Sequence, residues 1–226
     1  MIRLHITAEG QTEQRFVNEV LRPHLAAFGV YTDVRCVITS KDNRASKEFR
    51  GGMTTYARAR NDILNWMKED SAAECRFTTM FDLYALPDDF PGFASVRKHA
   101  DPYARVAALE QALKEDIGSQ RFIPYIQLHE FEALILADVR ALDLEYLEHE
   151  NPIRNLQAMV GGQNPELIND GRETAPSRRI IREIPEYDKV TSGVSVAGHI
   201  GLPVLREKCM HFDEWVTRLE QLGSTS

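Results

Sequence analysis

The sequence predicts an α/β fold, with a mainly parallel central sheet flanked by helices and a helical C-terminal extension. Up to about residue 138, short segments that are β-branched or have alternating apolar residues alternate with segments whose apolar residues have helical spacing. This pattern is typical of parallel sheets covered by helices. After residue 141 the strand-like segments stop, and helical segments with polar joints follow. We therefore expect an α/β core at residues 1–141 and a helical extension at residues 142–226 packed on it.

Composition and charge are those of an ordinary globular protein. The 226 residues are 43% hydrophobic and 27% charged, with a formal net charge of -7, which argues against a generic nucleic-acid coat. No apolar run approaches the roughly 20 residues that span a bilayer, and the N-terminus has the wrong flanks for a signal peptide. The three cysteines have no close pairing, which indicates buried thiols. We expect a cytoplasmic protein without membrane association.

The N-terminal third predicts two strands separated by a helix. Ile2–Ala8 alternates and ends at a Glu-Gly turn, Thr12 is a candidate cap for the next helix, and Pro23 interrupts or restarts that helix. Val30–Ile38 is β-branched and predicts the second strand. The polar segment TSKDNRASKEFRGGM has no apolar period and two adjacent glycines, so it predicts a loop.

The middle of the chain repeats the strand and helix alternation. A helix beginning at Thr55 precedes the third strand, Arg76–Tyr84. Asp101–Pro102 is a typical helix start, because proline is pre-set for the first turn. The fourth strand, Arg121–Glu130, leads into the helical segment FEALILAD.

Three of the predicted strands end in a carboxylate: Glu9, Asp82 and Glu130. Glu13 follows one helical turn after Glu9, and Glu132 lies two residues after Glu130. A single acid in such a position is typically a helix cap or first-turn residue, contributing ~0.3–1 kcal/mol. Ligands of open parallel sheets bind beyond the carboxyl ends of the strands. If the three strands are neighbours, which the sequence leaves open, their acids converge on one patch.

Converging carboxylates repel one another and are stabilised by protonation or by a cation. Oxygen ligands suit Mg²⁺ or Mn²⁺, and the chemistry that follows is metal-assisted hydrolysis or transfer of a phosphodiester. The candidate ligands are the strand-end acids Glu9, Asp82 and Glu130, with Glu132 close by in the sequence. His129 is a candidate ligand or general base, or else a hydrogen-bonded structural residue.

Two basic segments are candidates for nucleic-acid binding, because guanidinium groups pair with phosphate. One is the predicted loop and the other is APSRRIIRE, and a solvated surface is the alternative for each. The candidate residues are Arg44, Lys47, Arg50, Arg178 and Arg179. The glycine pairs in RGGM and VGGQ lack the strand and lysine of a nucleotide-binding loop, so ATP binding is not predicted.

Several motifs resemble those of the Toprim fold. EGQTE after the first strand and FDLY at the end of the third are similar to its glutamate and aspartate motifs. With FDLYALPDDFPGF, PYIQLHEFEALILAD, APSRRI and GHIGLPVLREKCMHFDEW, the chain resembles a bacterial family of Toprim-like proteins of unknown function. That family is distantly similar to the Toprim domain of OLD (overcoming lysogenisation defect) nucleases.

The resemblance implies a Toprim-like fold and a role for each matched residue. Glu9 and Asp82 would be metal ligands, Glu13 a further acid at the metal or at a second metal, and Lys189 a catalytic lysine. The second aspartate of the Toprim pair is replaced by Tyr84, which puts the two-ion arrangement in question. Candidates for the missing ligand are Asp88, Asp89, Glu130 and Glu132.

Three functions stay open at this point. The first is a metal-dependent nuclease or related phosphotransfer enzyme, working with a separate ATPase, since OLD nucleases join such a motor to their Toprim module. The alternative is a non-catalytic Toprim-like binding or sensor module with a degenerate metal site, which Tyr84 and the negative net charge favour. A third is an enzyme acting on a small phosphorylated molecule.

Overall fold

A computed structural model describes residues 1–42, 47–50, 53–96, 101–168, 171 and 174–224, with the backbone alone for 38–42 and 47–50. The strands are β1 (Ile2–Ala8), β2 (Val30–Cys36), β3 (Ile38–Asp42), β4 (Lys47–Arg50), β5 (Cys75–Asp82), β6 (Phe122–Ile123) and β7 (Ile126–Gln127). The helices are α1 (Gln11–Phe16), α2 (Arg22–Ala26), α3 (Tyr56–Glu69), α4 (Phe93–Val96), α5 (Pro102–Ile117), α6 (Glu132–Ile135), α7 (Glu150–Val160), α8 (Pro176–Glu183), α9 (Val194–Ile200), α10 (Leu202–Lys208) and α11 (Met210–Ser224).

The central sheet is parallel throughout, as predicted. Its order is β2-β1-β5-β6, and β7 pairs with the end of β5. The predicted fourth strand is divided into β6 and β7, which flank Pro124, because proline has no amide hydrogen to give to a strand ladder. The condition left open by the sequence, that the acid-ending strands be neighbours, is met, since β5 pairs with both β1 and β7.

The two faces of the sheet pack against different helices. Leu4 and Ile6 of β1 face a core shared with α1 and the helices after residue 142. Phe77 and Phe81 of β5 face a second core formed with α3 and α5. Side chains alternate along a strand, so Asp82 lies on the first face, toward the C-terminal helices.

The C-terminal helices are joined to the sheet by the first core. Leu156 of α7, Ile180 of α8 and Leu219 of α11 are buried in the same cluster as β1. Trp215 Nε1 of α11 donates a hydrogen bond of 3.0 Å to Thr78 Oγ1 of β5. The region after residue 142 is helical, as predicted, and a domain boundary at residue 141 stays a prediction. No helix in the described part of the chain is long and apolar enough to cross a membrane.

The segment predicted as a loop contains a hairpin. β3 and β4 pair antiparallel, with Asp42 opposite Lys47, so the loop prediction is wrong for these two strands. Apolar alternation reports burial of one strand face, and a polar hairpin therefore gives no such signal.

The first helical region differs from the prediction at its cap. Gly10 is the N-cap of α1, and Glu13 Oε2 accepts a hydrogen bond of 2.9 Å from the Gly10 amide. Thr12 therefore lies inside the helix, and its prediction as the cap is wrong. The predicted interruption at Pro23 is present as a π-helical stretch, Val17–Leu21, which precedes α2. Pro23 has no N–H group to donate within the helix, and the wider π-helical turn before it accommodates this missing hydrogen bond.

Candidate metal centre

Glu9 and Asp82 meet because of the register of β1 and β5. Ala8 pairs with Met80 in this parallel ladder, so both strands end at the same edge of the sheet. The Asp82 amide donates a hydrogen bond of 3.0 Å to Glu9 Oε2. The backbone thus holds the two acids beside each other.

Glu132 reaches the same place from β7. Gln127 pairs with Asp82, and two residues later His129 adopts φ 62°, in the left-handed region. This conformation is uncommon for a residue other than glycine, and it turns the chain into α6. Glu132, the first residue of α6, is fully buried.

Lys189 joins the two carboxylates. Its Nζ lies 3.3 Å from Asp82 Oδ2 and 3.1 Å from Glu132 Oε2. Lys189 begins a π-helical turn, Lys189–Gly193, a conformation frequent at functional sites. Burial alone would lower the pKa of Lys189, but the carboxylates of Asp82 and Glu132 raise it above its usual value. The ammonium therefore stays charged at neutral pH.

The acids resist ionisation in this setting. Burial, followed by the charges of Asp82 and Glu13, raises the pKa of Glu9 well above its usual value. Burial and Asp82 raise the pKa of Glu13 to about 8, and burial raises that of Glu132 to about 7. Burial also raises the pKa of Asp82, although Lys189 opposes the change. A bound cation would favour the ionised form of every one of these groups.

Among the oxygens of these acids, Asp82 Oδ1 is buried without a hydrogen bond from the described residues, and Glu132 Oε2 has the Lys189 ammonium at 3.1 Å. Buried acceptors normally have a partner, and carboxylate oxygens are the ligands that Mg²⁺ and Mn²⁺ prefer. The donor set therefore fits a divalent cation, with Asp82 Oδ1 left without a donor and Glu132 Oε2 paired with a lysine that a cation could replace.

The carboxylate oxygens of these acids do not form a compact group of three ligand atoms. In the part of the chain that the structure describes, three potential ligand atoms within 4.8 Å of one another occur at His5, Asp70 and Cys75, and not among these acids. Lys189 lies between Asp82 and Glu132. A cation would have to displace the ammonium or bind on the Glu9 side of Asp82.

The His5, Asp70 and Cys75 group lies at the opposite end of β5, which begins at Cys75. Arg3 Nη2 donates to Asp70 Oδ1 at 2.8 Å and to Cys75 Sγ at 3.1 Å. His5 Nε2 lies 2.8 Å from Asp70 Oδ2. The guanidinium of Arg3 thus supplies the positive charge that a metal would bring, and burial raises the pKa of the Cys75 thiol. Sequence reasoning missed this group because its members are far apart along the chain.

Glu13 and Glu130 each have one oxygen committed to a helix start. Glu13 Oε2 accepts a hydrogen bond from the Gly10 amide at the N-terminus of α1. Glu130 Oε1 accepts a hydrogen bond of 2.6 Å from the Ser177 amide in the first turn of α8. A metal-ligand role for either residue would depend on its other oxygen.

The alternative ligands named from the sequence have other positions. Both oxygens of Asp89 accept from the Tyr56 amide, at 3.0 and 3.2 Å, and so cap α3. Asp88 is exposed and lines a cavity next to α5. His129 is buried, and burial lowers its pKa to about 4, so its imidazole is neutral at physiological pH.

The basic candidates fall into two groups. Arg178 is exposed on α8, whereas Arg179 Nε donates to the Thr174 carbonyl oxygen at 2.7 Å. Ser177, whose amide bonds Glu130, directly precedes these two arginines. The start of α8 therefore lies beside one of the strand-end acids. Lys47 and Arg50 belong to β4, where the backbone alone is described, and Arg44 lies outside the described residues.

Comparisons with known proteins give one family and several similar folds. The model of a family described as "Domain of unknown function (DUF4276)" matches residues 8–220. No curated protein gives a significant match. Similar solved structures include the C-terminal region of the Burkholderia pseudomallei OLD protein, at 14% identity and a TM-score of 0.44, covering 97% of this chain and 99% of that one. The C-terminal region of the Xanthomonas campestris pv. campestris OLD protein has 16% identity and a TM-score of 0.41, covering 96% and 97%.

Proposed function

The chain belongs to the DUF4276 family, and we propose that it is a divalent-metal-dependent phosphodiesterase that acts on nucleic acid. The observation that carries this proposal is the meeting of Asp82, Glu132 and Lys189 at the ends of adjacent parallel strands. Asp82 Oδ1 is buried without a hydrogen bond, and the Lys189 ammonium lies between Asp82 Oδ2 and Glu132 Oε2. This combination suits a cation and the anionic phosphate that accompanies it.

Each residue has a distinct part in the proposal. Glu9 and Asp82 hold Mg²⁺ or Mn²⁺, and Glu132 and the second oxygen of Glu13 complete the set of ligands. When bound, the ion polarises the phosphate and lowers the pKa of the attacking water. Lys189 holds a phosphate oxygen once metal has taken its place beside the carboxylates. The exposed Arg178 contacts the nucleic-acid backbone.

The test is cleavage of single-stranded and duplex DNA and RNA with Mg²⁺, Mn²⁺ or EDTA. Asp82→Asn keeps the shape of the side chain but removes its charge. We expect turnover to fall about 100-fold or more, because even outer partners of metal ligands contribute about 10–100-fold. Lys189→Met should also lower turnover, because it removes the positive charge while leaving the carboxylates in place.

Glu115→Gln is the matched control for Asp82→Asn, since Glu115 is exposed on α5 and pairs only locally with Gln111 among the described contacts. Its turnover should equal that of the unmodified protein. Absence of metal-dependent turnover on every nucleic acid, or unchanged turnover in Asp82→Asn, contradicts the proposal.

A second candidate function is a non-catalytic binding or sensor module. It is favoured by Tyr84 at the position of the second Toprim aspartate and by Lys189, whose charge already balances Asp82 and Glu132. Calorimetric titration with Mn²⁺ separates the two candidates. Metal binding that disappears in Asp82→Asn supports the enzyme, whereas failure to bind metal at all supports the module.

The resemblance to OLD nucleases supports one further part of the proposal, a separate ATPase that works with this chain. The glycine pairs RGGM and VGGQ lack the features of a phosphate-binding loop. We expect the purified chain to hydrolyse no ATP, and its nuclease rate to respond to ATP only when a partner ATPase is added.

A further inference from the structure

A second group of potential metal ligands lies at the end of the sheet opposite the candidate metal centre. Cys75 of β5 pairs with Arg3 of β1, and His5 lies on the same face of the sheet as Arg3 because side chains alternate along a strand. Asp70, the residue that ends α3, joins them from the neighbouring helix. One nitrogen, one oxygen and one sulfur atom of His5, Asp70 and Cys75 thus come within 4.8 Å of one another.

The hydrogen bonds of these three side chains run within the group and to Arg3. His5 Nε2 lies 2.8 Å from Asp70 Oδ2. Arg3 Nη2 donates to Asp70 Oδ1 at 2.8 Å and to Cys75 Sγ at 3.1 Å, and Arg3 Nε donates to Asp70 Oδ2 at 3.0 Å. Among the described contacts, withdrawal of the Arg3 guanidinium would therefore leave three ligand atoms that already face one another.

Arg3 has a second carboxylate within reach. Its side chain is 43% exposed, and its Nη1 lies 3.5 Å from Oε1 of Glu74, which is 47% exposed. The guanidinium can therefore move toward Glu74 and keep an ionic partner. The charges also balance, because a divalent cation beside the Asp70 carboxylate and the Cys75 thiolate is as neutral as the present pair of Arg3 and Asp70.

We propose that His5, Asp70 and Cys75 bind a divalent transition metal, with Zn²⁺ the best match, in exchange for the Arg3 guanidinium. Thiolate and imidazole ligands suit Zn²⁺, whereas Mg²⁺ and Mn²⁺ prefer oxygen. The thiolate is the form of cysteine that binds metal, so the Cys75 proton passes to solvent on binding. Three protein ligands leave the fourth position of a tetrahedral zinc ion to water.

The His5 ring can bind through the nitrogen that now faces Asp70. The tautomer of a histidine is set by the hydrogen bond that its other ring nitrogen makes. His5 Nδ1 has no hydrogen bond from the described residues, so nothing there prevents the proton from moving to Nδ1. Nε2 then offers its lone pair to the ion.

This inference does not depend on the proposed function. Cys75 and Asp82 are the first and last residues of the eight-residue strand β5, so they are about 23 Å apart at about 3.3 Å per residue. The two sites can therefore bind different ions without sharing a ligand. A zinc ion at the Cys75 end would tie the end of α3 to β1 and β5.

The test uses Co²⁺, which takes the place of Zn²⁺ and absorbs light by charge transfer when it is bonded to a thiolate. We expect titration of the full chain with Co²⁺ to give this absorption band, and Zn²⁺ to abolish it by displacement. An excess of Mg²⁺ should leave the band in place. A cation held by carboxylates alone gives no such band, so the readout separates the two sites.

Variants locate the bound ion. Cys75→Ser should remove the band, and Asp70→Asn should lower Zn²⁺ affinity by about 100-fold or more, since even outer partners of ligands contribute about 10–100-fold. Asp70 is partly exposed, so this second variant guards against misfolding of the buried Cys75→Ser. Cys36→Ser is the matched control, because Cys36 ends β2 beside Ala8 at the other end of the sheet, and it should keep the band.

Arg3→Met tests the exchange itself. A competing contact lowers the apparent affinity by the fraction of molecules in which the site is accessible, so removal of the guanidinium should raise Zn²⁺ affinity by about tenfold or more. A guanidinium that only held the ligands in position would give the opposite change. Zn²⁺ affinity that falls in Arg3→Met would therefore overturn the exchange.

The remaining outcomes are equally definite. Absence of the band in the unmodified chain, a band that survives in Cys75→Ser, or a band that is lost in Cys36→Ser overturns the zinc site. Asp82→Asn should leave the band unchanged while it removes metal-dependent cleavage. Loss of the band in Asp82→Asn would place the bound ion at the strand-end acids and overturn the inference.

Discussion

Glycine at position 193 allows a tyrosine to reach a site carboxylate. Tyr187 Oη donates a hydrogen bond of 3.4 Å to Glu132 Oε1, and both side chains are buried. A Cβ atom on Gly193 would lie 2.5 Å from that same Oη. Gly193 closes the π-helical turn that Lys189 begins. Because Gly193 has no Cβ atom, Tyr187 can approach Glu132, and the same turn places Lys189 beside the carboxylates.

This arrangement predicts the effect of a single methyl group. Gly193→Ala should lower the free energy of unfolding by about 1–3 kcal/mol, the usual cost of overpacking. Tyr187→Phe in the same chain should restore most of the loss, because it removes the overlapping oxygen. Urea unfolding of the two single variants and the double variant measures this. A loss in Gly193→Ala that is the same with and without the tyrosine hydroxyl would contradict the account.

At the residue scale, the sequence named the strand-end acids as candidates and the resemblance named Lys189; the fold brings Lys189 beside Asp82 and Glu132, and the roles of these residues stay predictions. Tyr187 was not identified, because it lies 55 positions from Glu132 and carries no local signal of that contact. The group of Arg3, Asp70 and Cys75 was missed for the same reason. Residue contacts of this kind depend on strand order and register, which the sequence left open.

At the element scale, α3 begins at a cap supplied by a distant loop. Asp89 accepts from the Tyr56 amide, and Thr55, the preceding residue, makes no side-chain cap. This assignment makes Asp89 a structural acid, although its position in the PDDFPG segment also suggested a metal ligand. Only the fold distinguishes the two roles, because the partner amide is 33 residues away.

Asp89→Ala should lower the free energy of unfolding by about 1 kcal/mol, the typical value of a helix cap. It should leave Mn²⁺ affinity unchanged, because the carboxylate serves the helix. Thermal unfolding and calorimetric titration measure the two effects, with the exposed Glu115→Gln as the control for charge. Weaker Mn²⁺ binding in Asp89→Ala at unchanged stability would instead make Asp89 a ligand.

Other elements show where sequence patterns suffice. β1 was predicted with its exact bounds, and α5 begins after Asp101, which accepts from the Tyr103 amide as a cap should. Burial of alternate residues and a proline at the helix start give strong signals. The divided strand at β6 and β7 and the polar hairpin of β3 and β4 were not predicted, because backbone pairing decides them.

At the scale of the whole molecule, a partly buried ion pair links the last helix to the α/β core. His211 Nε2 of α11 lies 2.9 Å from Glu110 Oε1 of α5. Burial would lower the pKa of His211, but Glu110 raises it above its usual value. A pKa that is higher in the folded than in the unfolded state favours folding when the group is protonated.

The resulting pH dependence has a definite sign. The contribution of His211 should be fully present below about pH 6.5, the unfolded value, and be lost as the pH rises through its higher folded value. His211→Gln keeps a donor to Glu110 but cannot titrate, so it should flatten this part of the stability curve. His199→Gln, at an exposed histidine, is the control. Equal slopes in all three proteins would contradict the assignment.

We propose that Glu9, Asp82 and Glu132 form a divalent-cation site that the Lys189 ammonium occupies when no metal is bound. Anomalous diffraction from crystals soaked in Mn²⁺ tests it directly. We expect a manganese peak in contact with Asp82 and Glu9, with Lys189 Nζ displaced from its 3.3 Å contact with Asp82 Oδ2. A peak at His5, Asp70 and Cys75 alone, or no peak with Lys189 still bridging Asp82 and Glu132, would contradict the claim.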